Sequence, residues 1–334
     1  MLSPKQNVLE TIKKDGHPDC LPVCFEAFRS IGGDPVFQFV RGNRIRGTDS
    51  YDRWGTFISF PETQPAAVPI VTPENQVIQD IEHWRDYVHA PDLRANCSSG
   101  WEIALKNKAA IPEGYFSMTV MGTGIFEQLH MLMTFEDTLM GFLAYPEEMH
   151  EIIEVITNYR LEYMKLIVEH LHPDVIMSHD DWGSERSLFM HPDTWRSFFK
   201  EPYRRLYDYL HSEGVLVFHH ADSFCEPLAE DMVDIGIDVW QGVLPTNDIP
   251  ALTRQLDGRM ALMGGISSVI DRADATEAEI RAETRRALDA YGELKNFIPS
   301  YTYGGAGTIF PHVMPLIHDE IQRYNRERFG MEAP

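Results

Sequence analysis

The hydrophobic and polar positions follow two alternating periods along most of the chain. Short apolar runs, each the length of one buried strand, recur from about residue 114 onward and are separated by stretches with helical spacing. The predicted strands are 115–121, 174–179, 215–220, 238–243, 259–266 and 296–302. The predicted helical stretches are 125–143, 146–171, 192–211, 226–235, a short one from 249, 277–291 and a closing one that ends near Phe329. Repeated strand–helix units with short loops predict a parallel sheet covered by helices.

The N-terminal third keeps this rhythm less well. An amphipathic helix capped by Ser3 opens the chain, and we predict that the apolar segment LPVCFEA (21–27) is the first strand. SYDRWGTFISF (50–60) has the pattern of a β-hairpin, and residues 28–113 together are interpreted as an irregular elaboration near the barrel mouth. About seven strands are counted in this way, one short of a closed (β/α)8 TIM-type barrel, for which we predict a single domain over 1–334. A doubly wound open sheet is the alternative, but no GxGxxG follows any strand.

Composition narrows the function classes. The formal net charge of −22 argues against partners such as nucleic acid and anionic membranes. No apolar run is long enough to span a bilayer and no signal segment opens the chain, so a cytoplasmic protein is expected. The four cysteines form neither a disulfide framework nor a CxxC zinc ribbon.

Three predicted strands end in unusually polar sequences, where the active sites of such barrels lie. HDDWGSE (179–185) crowds ionisable groups that are costly together unless they bind something, although a solvated capping loop is the alternative. In HHADS (219–223), His220 and Asp222 point the same way and could share a metal ion; a structural histidine is an equally good interpretation. SYTYGG (300–305) ends the last strand and Gly264–Gly265 ends the strand before it, so the last two loops could form an anion site, but a tight turn is favoured.

Four segments, 124–153, 191–206, 218–242 and 263–268, resemble the uroporphyrinogen decarboxylase superfamily. The resemblance implies a (β/α)8 barrel and either tetrapyrrole decarboxylation or methyl transfer that involves a corrinoid protein. The decarboxylases carry an R-x-A-G-R segment near the N-terminus that pairs with the carboxylates of the substrate. Here the corresponding stretch, 23–29, has one arginine and one acid, which argues against decarboxylation.

Zinc methyltransferases of this superfamily use His-x-Cys and a later cysteine, and the matching positions here are His220, Asp222 and Ser300. Oxygen donors thus replace thiolates, which favours Lewis-acid polarisation of an ether or hydroxyl oxygen over thiol activation. The pattern E-x14-E-x20-H of corrinoid-dependent O-demethylases is matched by Glu136, Glu151 and His172. These three do not form one metal site, because Glu151 and His172 lie about 31 Å apart along one predicted helix.

The predicted function is therefore transfer of a methyl group from a small donor, preferably an aryl methyl ether, to a cob(I)alamin-carrying corrinoid protein. Cobalamin is expected on a separate protein, because no DxHxxG signature is present. A tetrapyrrole decarboxylase, with Asp180 or Tyr301 stabilising a protonated intermediate, and a non-catalytic binding barrel remain alternatives. The resemblance also allows a homodimer. The predicted site residues are catalytic Asp180, His220, Asp222 and Tyr301; substrate-binding Glu127, Met121, Trp182 and Tyr303; and, for zinc, His220, Asp222 and Glu185.

Overall fold

A computed structural model describes residues 1–64, 66–303 and 309–333. Helix α1 (Pro4–Ile12) opens the chain with the predicted cap. The Ser3 hydroxyl accepts the Gln6 N–H at 3.3 Å, and the Gln6 side chain accepts the Ser3 N–H at 3.0 Å. This reciprocal pair satisfies two N–H groups that the first turn of a helix leaves free.

Seven parallel strands form the main sheet, and each strand pairs with the next of the seven along the chain. The sheet curls into a TIM-type barrel, as predicted, and six of its strands match predicted runs to within about two residues. Its strands are β1 (Phe28–Ser30), β5 (Phe116–Met121), β6 (Val175–His179), β7 (Leu216–His220), β8 (Val239–Val243), β9 (Ala261–Ile266) and β10 (Phe297–Tyr301).

The prediction that 21–27 is the first strand is wrong. Cys24 has a left-handed φ of 44°, and two turn hydrogen bonds, from Glu26 N to Val23 O and from Phe28 N to Phe25 O, bend the segment. The strand begins only at Phe28. The segment is apolar because it fills the gap between the ends of the curled sheet, where Cys24 N donates to Pro299 O of β10 at 3.2 Å. Burial without extended pairing explains the misleading pattern.

The helices cover the outside of the sheet. The predicted 125–143 stretch is two helices, separated where Thr134 caps the second, and 192–211 contains a π-helical turn at Arg196–Lys200. The bounds are α2 (Pro35–Arg41), α3 (Leu93–Cys97), α4 (Glu102–Ala109), α5 (Ile125–Leu132), α6 (Phe135–Ala144), α7 (Pro146–Leu171), α8 (Pro192–Trp195), α9 (Glu201–Ser212), α10 (Ala229–Asp234), α11 (Ile249–Leu256), α12 (Glu277–Tyr291) and α13 (Val313–Phe329). Among the described residues, no helix is long and apolar enough to cross a membrane.

The predicted hairpin at 50–60 is confirmed. Strands β2 (Thr48–Tyr51) and β3 (Phe57–Phe60) pair antiparallel, and β4 (Val68–Pro69) extends them to three strands. The Thr56 hydroxyl donates to Met131 O at 3.3 Å, so the hairpin rests on the C-terminal end of α5, the helix that follows β5.

Two apolar cores position the site. The larger core lies between sheet and helices, and the smaller one fills the barrel interior with side chains such as Phe116, Val175, Phe218 and Ile298. Because alternate residues of a strand point the same way, the next inward positions beyond this apolar plug lie at or near the carboxyl ends of the strands. The barrel is therefore closed below and polar at its mouth.

Candidate metal centre at the barrel mouth

Two histidines at the ends of neighbouring strands form the centre of the site. His179 of β6 and His220 of β7 are register partners, and their rings stack with centroids 4.6 Å apart. Asp181 follows β6, and one ligand atom of each of these three side chains lies within 4.8 Å of the others. Two imidazoles and a carboxylate are a ligand set that zinc accepts while keeping a position open for water or substrate.

Outer hydrogen bonds orient both imidazoles. His179 Nδ1 lies 2.9 Å from Glu127 Oε2, and Glu127 also accepts the Gly124 N–H at 2.8 Å. His220 Nδ1 bonds to the side-chain oxygen of Gln241 on β8. Metal-bound histidines typically donate one ring N–H to such an acceptor, which leaves the other nitrogen for the ion. The residues present thus fit a divalent cation that prefers nitrogen and oxygen donors.

The pKa values of the ionisable groups at the mouth also favour the binding of a cation. Burial, together with Asp181, raises the pKa of Asp222 to about 6, and burial raises that of Asp181 to about 6. Burial lowers the pKa of His179, but Glu127 outweighs this effect and brings it to about 9. Burial and the neighbouring His179 lower the pKa of His220 to about 4, so this imidazole is neutral near pH 7. A neutral imidazole among crowded carboxylates is a ready ligand for a cation.

The mouth is open to solvent. The His179 side chain is 30% exposed and that of Asp181 28%. Val120 faces the inside of the barrel and is exposed, whereas the rest of β5 is buried, so solvent reaches the inner face of the mouth.

Ser300 occupies the position of the later cysteine in the resemblance. It is buried, and its hydroxyl has no hydrogen-bond partner among the residues that the structure describes.

Of the predicted metal ligands, His220 belongs to this triad. Asp222 lies beside it, where its N–H donates to Asp181 Oδ1 at 3.0 Å. Glu185 is exposed on the loop after β6 and is not among the clustered ligand atoms. The roles of Asp222 and Glu185 as ligands stay predictions, and the geometry favours Asp181 as the carboxylate.

Asp180, predicted to be catalytic, is buried, and both of its carboxylate oxygens accept hydrogen bonds. It accepts hydrogen bonds from Phe126 N at 3.0 Å, Glu127 N at 2.9 Å and Trp182 Nε1 at 3.0 Å, and one from the Tyr203 hydroxyl. These contacts cap the start of α5 and thereby place Glu127 beside His179. The ring of Trp182, a predicted substrate contact, is wholly buried and stacks on His219 with centroids 4.2 Å apart.

The remaining predicted contacts lie elsewhere. The Tyr301 hydroxyl donates to Met314 Sδ at 3.7 Å, so this ring packs toward α13 rather than on the triad. Met121 is buried in the outer core, and Tyr303 packs half-buried against the same core. Gly304 and Gly305, which belong to the two loops of the anion-site alternative, lie outside the described residues.

Sequence reasoning placed His179 and Asp181 in a polar strand end but did not choose them, and it missed Gln241. One signal was available for the two histidines. Each is the last residue of its strand, at the inward position that continues an apolar series through Met177 or Phe218. The pairing of neighbouring strands then brings the two rings together.

Comparison with known proteins decides the family. The model for uroporphyrinogen decarboxylase (URO-D) matches residues 55–315. The chain belongs to the URO-D family. No curated protein matches this URO-D family sequence.

A solved structure shares the fold. A methyltransferase from Methanosarcina mazei superposes with a TM-score of 0.67 over 99% of this chain and 100% of its own, at 18% identity. A proposed vitamin-B12-independent methionine synthase from Listeria monocytogenes has a TM-score of 0.40 over 68% of this URO-D chain and 67% of its own, at 15% identity. At 18% identity, the first likeness shows the fold.

Gln241→Leu is expected to weaken zinc binding by about 10- to 100-fold, because His220 loses the acceptor that fixes its ring. Competition with a chelating dye measures the affinity. Gln38→Leu serves as the control and should bind as wild type does, because Gln38 is exposed and its side chain has no hydrogen bond to any described residue. An unchanged affinity in Gln241→Leu would show that stacking on His179 alone orients His220.

Proposed function

We propose that this URO-D family chain is a metal-assisted methyltransferase that moves a methyl group from an aryl methyl ether to the cob(I)alamin of a separate corrinoid protein. The observation that carries the proposal is the His179–Asp181–His220 triad in a solvent-accessible mouth. Its donors are nitrogen and oxygen atoms, which suit a Lewis acid for an oxygen substrate better than a thiolate-rich centre would.

Each residue of the mouth has a separate role in this proposal. His179, Asp181 and His220 hold the ion, while Glu127 and Gln241 hold the two imidazoles. A zinc ion bound there would supply Lewis acidity to the ether oxygen. Asp222, whose pKa burial and Asp181 raise to about 6, lies beside the triad, where a protonated carboxyl can serve as the acid.

The reaction balances as a two-electron displacement. The Co(I) of the acceptor attacks the methyl carbon with its electron pair, and the carbon–oxygen bond breaks with its electrons left on oxygen. Cobalt becomes Co(III) as its bond to carbon forms, and the aryl oxygen takes a proton to become a phenol. Since Co(I) needs a reducing compartment, we propose a cytoplasmic location, with the chain acting as one domain.

One observation favours a second candidate, decarboxylation of a tetrapyrrole acid. Arg41, Arg44 and Arg160 line a cavity beside the turn that follows β5, and arginine is the residue that pairs with substrate carboxylates. Against it, no arginine forms a hydrogen bond or ion pair with the triad in the described part of the chain.

The test supplies zinc-loaded protein with methoxybenzene or 4-methoxyphenol and either free cob(I)alamin or a reduced corrinoid protein. We expect the absorbance of methylcobalamin to appear, at a rate at least 100-fold lower in His220→Ala. Ethoxybenzene, with a more hindered carbon, is the matched poor donor. Decarboxylation of uroporphyrinogen with no methylcobalamin from either acceptor would overturn the proposal in favour of the second candidate.

A further inference from the structure

The arginine-lined cavity beside the turn that follows β5 has a volume of about 80 Å³ and lies between α2, the Gly122–Gly124 turn and α7. Its wall includes Arg41 and Arg44 from the N-terminal elaboration and Arg160 from α7. The space holds a few waters or one compact polar group. None of its lining residues belongs to the metal triad.

Three buried donors of this cavity wall lack partners. Trp54 Nε1, Gln128 Nε2 and Arg160 Nε have no hydrogen-bond acceptor among the described residues, although the three side chains are only 3%, 5% and 2% exposed. A buried donor without a partner has lost its hydrogen bond to water and gained none in return, which destabilises the fold. Three such donors on one small cavity indicate that a group rich in acceptors completes it.

The positive charge of the cavity wall also favours the binding of a group that accepts hydrogen bonds. The remaining recorded hydrogen bonds of Arg160 go to Gly122 O, Thr123 O and the Ser178 hydroxyl, and no described carboxylate lies within 4.0 Å of its guanidinium. A buried guanidinium without an anion is strongly destabilising. A group that accepts hydrogen bonds in this cavity is therefore bound most tightly if it is negatively charged.

The other charged groups of the cavity wall do not neutralise this positive charge. Burial, and then the neighbouring Arg41, lower the pKa of Arg44. Asp52 is the one acid among the lining residues, and its Oδ1 already accepts the N–H groups of Trp54 and Thr56 at 2.9 Å each. Three arginines thus face one carboxylate, in a chain whose net charge is −22.

We propose that this cavity binds a single small oxyanion, a carboxylate or phosphate group. The side chains of Trp54, Gln128 and Arg160 donate hydrogen bonds to it, and Arg41 and Arg44 supply further charge. The site is independent of the metal chemistry. It adjoins the metal centre through one turn, because Thr123 lines the cavity while the next residue, Gly124, donates its N–H to Glu127.

Isothermal titration of the purified protein tests the proposal, with sodium acetate and sodium phosphate as separate probes at constant ionic strength. Acetamide, the uncharged analogue of acetate with nearly the same shape, is the matched ligand control. We expect saturable one-to-one binding of an anion and none of the amide. Binding of acetate alone identifies the carboxylate of an organic acid as the ligand chemistry, and binding of phosphate alone identifies a phosphate group.

Variants assign that binding to the cavity. Arg44→Gln and Gln128→Leu should each weaken it at least tenfold, whereas Arg46→Gln, an exposed arginine of the same loop outside the cavity wall, should not. Arg160→Gln should abolish it, and Arg44→Gln keeps the test valid if that buried variant does not fold. His220→Ala should retain it, which separates this site from the metal centre. No binding, or binding that none of the cavity variants weakens, would overturn the proposal and leave the donors to ordered water.

Discussion

Replacing His220 with alanine should remove zinc from the purified protein, with a loss of affinity of at least 100-fold and of methyl transfer in proportion. The imidazole is one of three clustered ligands, so two would remain, too few for a stable protein site. His179→Ala should have the same effect, since its ring occupies the equivalent place on the neighbouring strand. Metal content by elemental analysis and affinity by dye competition measure the change.

The control for this prediction is His89→Ala, an exposed histidine whose side chain forms no hydrogen bond or ion pair within the described part of the chain. It should keep about one zinc per chain. If His220→Ala also keeps one zinc per chain, the ion sits elsewhere and the triad is not the metal centre. A protein that takes up no zinc in any form would remove the Lewis-acid mechanism and leave protonation by a carboxyl group.

The same measurement separates the two carboxylates. Asp181 lies within the ligand cluster, whereas the sequence alone favoured Asp222. Asp181→Asn should therefore weaken zinc binding more than Asp222→Asn, which should mainly slow proton delivery in methyl transfer. The reverse order would restore the His-x-Asp assignment that the sequence suggested.

Asp180→Ala should lower the free energy of unfolding by about 3–5 kcal/mol, the largest stability effect that we expect from a single side chain of this mouth, because several buried donors lose their acceptor together. The carboxylate is buried and accepts hydrogen bonds from Phe126 N, Glu127 N, Trp182 Nε1 and the Tyr203 hydroxyl. Alanine would leave these donors unpaired at the start of α5. Denaturant unfolding followed by fluorescence and circular dichroism measures the change.

The exposed Asp86→Ala is the matched control and should change stability by less than about 0.5 kcal/mol. Asp180→Asn should fall between the two, because the amide keeps an acceptor but sets a second donor against the helix N–H groups. A stable Asp180→Ala protein that has lost activity would instead support the catalytic role that the sequence predicted for Asp180.

The sequence predicted most of the elements. The alternation of strand and helix periods located six of the seven barrel strands and the helices between them, because each element must bury one face and therefore repeats apolar residues at its own spacing. The strand that it placed at 21–27 was wrong for a related reason. Periodicity reports burial, and Leu21 and Val23 are buried in the seam of the barrel without strand pairing.

The sequence also placed chemistry at the correct end of the barrel. Polar strand ends followed apolar runs, so His179, Asp180, Asp181, His220 and Asp222 could all be assigned to one mouth. Which of them meet depended on strand register. His179 and His220 are 41 positions apart in the chain, and only the pairing of β6 with β7 stacks their rings.

Side-chain direction was likewise a matter for the tertiary structure. Asp180 and Asp181 are adjacent in sequence, yet one turns into the protein to cap α5 and the other joins the histidines. The unpaired donors of Trp54, Gln128 and Arg160 come from three distant segments and give no local signal. Local patterns record what a residue buries within its own element, whereas a site is made of contacts between elements, which exist only once the sheet has curled and its helices have packed against it.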